Sequence, residues 1–149
     1  MRFQRSSTTR TQYGPDLSRG FPGLRVWLCV KLFGASRLRA AIAEKRQLAV
    51  DASERIARIP GIVLDAPPQL SLFAFHLSWQ GATVAEEDAA TRELLERVNA
   101  RQRVMLTGCT VDDGRFLGRV CVLSFRTRQQ QMDWCVEDLA AAAGEIVRQ

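Results

Sequence analysis

The chain has 149 residues, enough for one domain with a core of its own. Its 46% apolar and 25% charged residues are those of an ordinary globular protein, and no apolar run approaches the roughly 20 residues of a membrane span. The net charge of +5 does not mark a nucleic-acid binder: 19 of the 21 basic residues are arginines, the other two are Lys31 and Lys45, and they alternate with acids, as in AEKRQLAVDASERIAR, with no basic block interleaved with aromatics.

The first stretch, MRFQRSSTTRTQYGPD, is basic and rich in hydroxyls and lacks the apolar segment of a secretory signal. It reads as a loose arm over 1–16, ahead of a domain over 17–149. Leu24, Leu28 and Leu32 then repeat at four beside Trp27, one face of a short helix that Gly34 ends. Ser36 is placed to cap a second helix. Its stripe is Leu38, Ile42, Lys45, Ala49, Ala52, Ile56 and Ile59, apolar apart from Lys45, and Pro60-Gly61 stops it.

A short strand in GIVLDAPP is cut off by Pro67 and Pro68. The next, in QLSLFAFHLSW, sets Phe73, Phe75 and Leu77 on one face and Leu70, Leu72 and Ala74 on the other. Thr83 and Glu86 form a capping box for a helix carrying Leu94, Leu95 and Val98. RVMLTGCTVDDGRFLGRVCVLSF reads as a hairpin turned at Asp113-Gly114. Thr127 and Gln130 suggest a second capping box, before a helix with Met132, Val136, Leu139, Ala143 and Ile146 on one stripe.

The order α-α-β-β-α-β-β-α predicts a two-layer α+β fold, a mostly antiparallel sheet of about four strands with helices on one face. Single helical stripes cover one side of such a sheet. Leu72, Ala74, Leu117, Cys121 and Leu123 are then left on a second side with nothing to cover it, the mark of an interface.

Enzymatic chemistry is sparse. His76 is the single histidine and reads as a satisfied structural residue within a strand. Asp112 and Asp113 read as turn formers. Cys29, Cys109, Cys121 and Cys135 make no C-x-x-C pair and no metal set; buried free thiols in a reducing cytoplasm are the expectation. The only lysines are Lys31, in an apolar helical run, and Lys45, whose stem is expected to cover the core while its head reaches solvent. Arg119 stands between Leu117 and Cys121 on the uncovered face. It suits either recognition of a carboxylate or phosphate, or pairing with a nearby acid or solvent.

The stretch YGPDLSRGFPGLRVWLCVKLFGASRLRAAIAEKRQLA resembles the start of the C-terminal portion of the group II pyridoxal-phosphate-dependent amino-acid decarboxylases. ELLERVNARQRVMLTGCTVDDGRFLGRVCVLSFRTRQQQMDWCVEDL is similar to that family's end. The likeness runs from about Tyr13 to the C-terminus. It implies a fold-type-I parent, a homodimer with active sites at the subunit interface, and a small C-terminal domain whose sheet faces a large cofactor domain. The family's Schiff-base lysine, which follows a histidine, lies upstream of the SRGF region, and no position here matches it. Arg119 matches the strand arginine that contacts the substrate carboxylate in glutamate-specific members, and Arg19 matches one of the arginines near the start. Gly20 and Pro22 stand where the family commonly has arginines.

The resemblance therefore implies a C-terminal fragment or domain of an L-amino-acid carboxy-lyase. It would belong to the cytoplasm, be inactive alone, and use pyridoxal phosphate in the parent enzyme without linking it covalently to this chain. Arg119 and Arg19 are the candidate substrate-binding residues, and no catalytic, cofactor-binding or metal residue is expected. The partner is the large domain or a second copy. The alternative from the residues alone is a self-standing dimerisation or small-ligand-binding module.

Overall fold

The computed structural model describes residues 21–147, and the expected arm over 1–16, Arg19 and Gly20 lie outside them. The chain divides into two compact units, with the boundary between Leu38 and Arg39. In the first, α1 (Pro22–Phe33) carries Pro22 in its first turn, where the missing N–H costs nothing. Gly34 ends it with φ +79°, a conformation glycine adopts without strain. No residue of α1 is buried, although Leu24, Trp27, Leu28 and Leu32 are apolar.

Helix α2 (Ala35–Ile56) follows at once. Ser36 therefore lies in its first turn and is not its cap. From Arg39 onward the chain forms one α+β unit: β1 (Ile62–Leu64), β2 (Leu72–Leu77), α3 (Val84–Ala100), β3 (Thr107–Thr110), β4 (Phe116–Cys121) and α4 (Gln129–Ile146). The expected two-layer order is borne out. The sheet runs β1-β2-β4-β3, and every pairing is antiparallel.

One sheet face meets the helices. Phe73, Phe75, Leu77 and Val120 join Ala49, Ala52 and Ile56 of α2, Leu94 and Val98 of α3, and Leu139, Ala142 and Ala143 of α4 in one core. Two glycines make room for the rings on this face. A Cβ on Gly118 would sit 2.7 Å from Phe75 Cζ, and one on Gly108 would sit 2.0 Å from Phe116 Cζ.

The helix ends follow side-chain chemistry. Thr83 and Glu86 form the expected capping box of α3. That of α4 is displaced by one residue: Gln131 Oε1 accepts from the Arg128 N–H at 2.8 Å. The Thr127 N–H is already given to the Ser124 carbonyl at 3.1 Å, so it is not left for a box with Gln130. Lys45 is the other departure from expectation. It is buried, and its ammonium donates to the Thr127 carbonyl at 2.6 Å and lies 3.4 Å from Glu44, so the expectation that its head reaches solvent is overturned. The β3–β4 turn forms around Gly114 (φ +88°), with Asp113 accepting from the Arg115 N–H as a turn former does.

The four thiols are free, but only Cys135 is buried; Cys29 and Cys121 are exposed and Cys109 is intermediate. The expectation of buried thiols therefore fails for three of the four. Cys121 lies on the sheet face turned away from the helices, as alternation along the strand predicts.

Candidate functional site

That second face is set by register. Val63 pairs with His76, Cys109 with Leu117, Ala74 and Thr107 with Arg119, and Leu72 with Cys121. Partners across strands share a face, so these side chains line the side opposite the helices. The expectation that nothing covers this side holds only in part. Leu72 is 39% exposed and Leu123 75%, but Leu117 is 1% exposed and His76 is also buried. Leu117 belongs to no part of the main core. Register rings it with Cys109 on β3, His76 on β2, and Arg115 and Arg119 two residues away on either side of its own position. Such long stems lie along apolar surface.

Arg119 projects from the middle of β4. Its guanidinium donates to Thr107 Oγ1 at 3.2 Å, its Nε is buried without an acceptor, and it pairs with no carboxylate among the described residues. Of the two sequence readings, pairing with a neighbouring acid is absent from the described residues. Arg19, the other candidate, lies outside them, so its relation to Arg119 is not described.

The second cluster escaped the sequence reading. Strands β2 and β4 part company at their Leu77 and Phe116 ends, where α3 supplies the missing bonds. The Leu77 N–H donates to Thr91 Oγ1 at 3.0 Å and the Phe116 N–H to Asp88 Oδ1 at 2.9 Å. Arg115 pairs with Glu87 at 2.9 Å in the same fork. His76 stands beside them, and its Nδ1 is buried with no partner among the described residues, contrary to the satisfied histidine expected. Burial, and then the charge of Arg115, hold His76 below its ordinary 6.5. Only the acidic run Glu86-Glu87-Asp88 opening α3 hinted at this cluster.

No family model matches the chain. It is 30% identical over 119 residues to 4-hydroxyphenylacetaldehyde synthase of Rhodiola rosea, covering 79% of this chain and 24% of the synthase. It is 29% identical over 133 residues to the aromatic-L-amino-acid decarboxylase of Drosophila lebanonensis, covering 89% of this chain and 31% of that enzyme. The solved Rhodiola rosea synthase superposes with a TM-score of 0.78 at 27% identity, over 89% of this chain and 28% of that one. The chain is similar to the C-terminal portion of the group II pyridoxal-phosphate-dependent decarboxylases. Oryza sativa TDC, solved with PLP and tryptamine, shares the fold with a TM-score of 0.74 at 23% identity, over 83% of this chain and 26% of that one. The chain thus spans between 24% and 31% of the curated relatives first matched.

Within such a decarboxylase domain, neither lysine suits covalent attachment of the cofactor. Lys45 is committed to Thr127 and Glu44 between α2 and α4. Lys31 stands on the exposed α1 with its ammonium 5.8 Å from the Trp27 ring centre, outside any enclosed pocket. Among the described residues, no cluster of three or more metal-ligating side chains occurs, and no helix is long and apolar enough to cross a membrane.

Proposed function

We propose that the chain serves as the small C-terminal domain of a pyridoxal-phosphate-dependent L-amino-acid decarboxylase, with the second face of its sheet against a large cofactor-binding domain. The parent reaction is loss of CO₂ from an L-amino acid, and the cofactor on the large domain supplies the electron sink. Arg119 carries the reading. It is a fork of donors amid Leu72, Leu117, Cys121 and Leu123, with no carboxylate of its own among the described residues.

A half-buried guanidinium with free donors on an apolar face gains from a carboxylate held in two-pronged geometry. Arg119 accordingly orients a substrate carboxylate or an acid of the facing domain, and Arg19 assists it. With both lysines unsuited to the cofactor, the chain alone neither links it nor decarboxylates. Its four free thiols fit a reducing, cytoplasmic setting. The parent assembles as a dimer.

The test replaces the matching segment of the Rhodiola rosea synthase with this chain. The expected hybrid retains pyridoxal phosphate and turns over, while the isolated chain does neither. Arg119→Met raises KM about tenfold or more and Arg119→Lys recovers part of it. A hybrid that folds but loses the cofactor, or an isolated chain forming a tight dimer through its sheet face, would favour the self-standing module.

A further inference from the structure

The link between β1 and β2 ends in a two-residue turn whose first central residue breaks a local rule. Gln69 and Leu72 exchange both backbone bonds, at 2.9 and 3.0 Å, around Leu70 and Ser71. Leu70 has φ +53°, and Ser71 is not among the residues with positive φ. This is the pattern of a type II′ turn, whose first central position belongs to glycine because a side chain there meets the backbone. A leucine in that conformation is an outlier. No packing among the described residues compensates it, since Leu70 is 77% exposed.

The other non-glycine residue with positive φ, Gln102, is polar and sits in the α3–β3 loop, where solvent is a suitable neighbour. Leu70 has no such excuse. An unfavourable conformation that holds a large apolar side chain in water is kept where something else buries that side chain.

The turn is also joined to the candidate face. Ser71 carbonyl accepts from the Val122 N–H at 2.9 Å, which sets the turn beside the end of β4. Leu72 projects from the second face opposite Cys121, and Leu123 follows Val122. Leu70, Leu72 and Leu123 therefore form an apolar rim at one end of that face, 77%, 39% and 75% exposed.

We propose that Leu70 is a docking anchor that seats in an apolar socket of the large cofactor-binding domain. This rests on the docking reading above and adds the residue that fixes the position of the small domain. The large domain is the occupant, not a second copy, because the matched segment makes up only 24% and 31% of the two relatives described above. The rest of each relative is the surface that always accompanies it.

The experiment compares wild type, Leu70→Gly and Leu70→Asn, as the isolated full chain and in the Rhodiola rosea hybrid, by calorimetry and cofactor retention. Glycine and asparagine both tolerate the left-handed conformation but remove the anchor. In the isolated chain both variants keep or raise the melting temperature. In the hybrid the wild type melts in one transition, and the variants split it, with the small-domain transition lower by about 5 °C or more. Unsplit melting of the variant hybrids overturns the anchor, as does an equal loss in the isolated chain, which would make Leu70 a folding residue. A wild-type hybrid already melting in two transitions instead overturns the docking reading itself, and the anchor with it. An isolated wild-type dimer dissolved by Leu70→Asn reassigns the socket to a second copy and overturns the large-domain assignment.

Discussion

The Lys45 ammonium, midway along α2, donates to the Thr127 carbonyl immediately before the Arg128 cap of α4, at 2.6 Å across 82 residues of sequence. Two ion pairs repeat the connection: Arg128 to Glu44 at 2.9 Å, and Arg55 to Asp133 at 2.5 Å. These pairs are largely exposed and contribute little by themselves. Lys45 is different because it is 8% exposed, so its bond is made where water does not compete fully.

Replacing Lys45 by methionine keeps the stem and removes the donor. The part-buried Thr127 carbonyl is left without it, a loss of about 1–3 kcal/mol. Thermal melting of Lys45→Met is expected several degrees below wild type. Cofactor retention in the Rhodiola rosea hybrid stays unchanged, and loss of the cofactor there would contradict the purely structural role of Lys45.

Gly118 marks a packing constraint on the opposite side of the sheet from Arg119. The tip of the Phe75 ring fills the space over it, and the ring is 0% exposed. Gly118→Ala forces a methyl into a space 2.7 Å from Cζ and costs about 1–3 kcal/mol by overpacking. Phe75→Leu added to that variant recovers part of the loss, so the double variant is more stable than additivity of the two singles allows. Urea unfolding of the four proteins measures that coupling; strict additivity contradicts it.

Element order, strand pairing class and the hairpin were legible because each rests on local pattern: stripes at three and four, alternation at two, and Asp113-Gly114 between apolar runs. The capping box of α3 was legible for the same reason. That of α4 was displaced because the turn before it gives the Thr127 N–H to the Ser124 carbonyl, which leaves the Arg128 N–H for Gln131. Arg119 could be placed on the second face by alternation alone. The burial of Leu117 could not, since it depends on neighbours that only the cross-strand register brings together; nor could the fork between β2 and β4 and the His76 nitrogen beside it, where α3 substitutes its side chains for a strand's backbone. The cysteines show a related limit: an apolar neighbourhood in sequence does not say whether a thiol is covered, as the exposed Cys29 and Cys121 show.

Thiol reactivity separates those environments. Burial, and then the Asp138 carboxylate nearby, push the Cys135 thiol up to about 12, so almost none of it is the reactive thiolate near neutral pH. Alkylation of the native chain is expected to label Cys29 and Cys121 first, Cys109 more slowly, and Cys135 only after denaturation. Peptide mass spectrometry reads the order. In the hybrid, Cys121 becomes slow as well, because it lies on the face assigned to docking; prompt labelling there argues against that burial.

His76 supplies the pH dependence. It is 8% exposed, and the charged groups facing it are Arg115 just before β4, Glu87 and Asp88 from α3, and Asp65 after β1. Desolvation acts first and Arg115 second, both against the imidazolium, and the three acids oppose them with smaller effect. The folded histidine therefore holds its proton less tightly than the unfolded one. As the pH falls below 6.5, the unfolded state binds protons that the folded state refuses, and stability declines toward the lower folded value; above 6.5 it is fully present. Glutamine at position 76 removes the titration while keeping a polar side chain in the fork. Urea midpoints measured from about pH 7.5 to about pH 5.5, above the ordinary range of carboxylates, are expected to fall for wild type and to stay nearly level for His76→Gln. Parallel curves for the two proteins would place the source of acid sensitivity outside the fork.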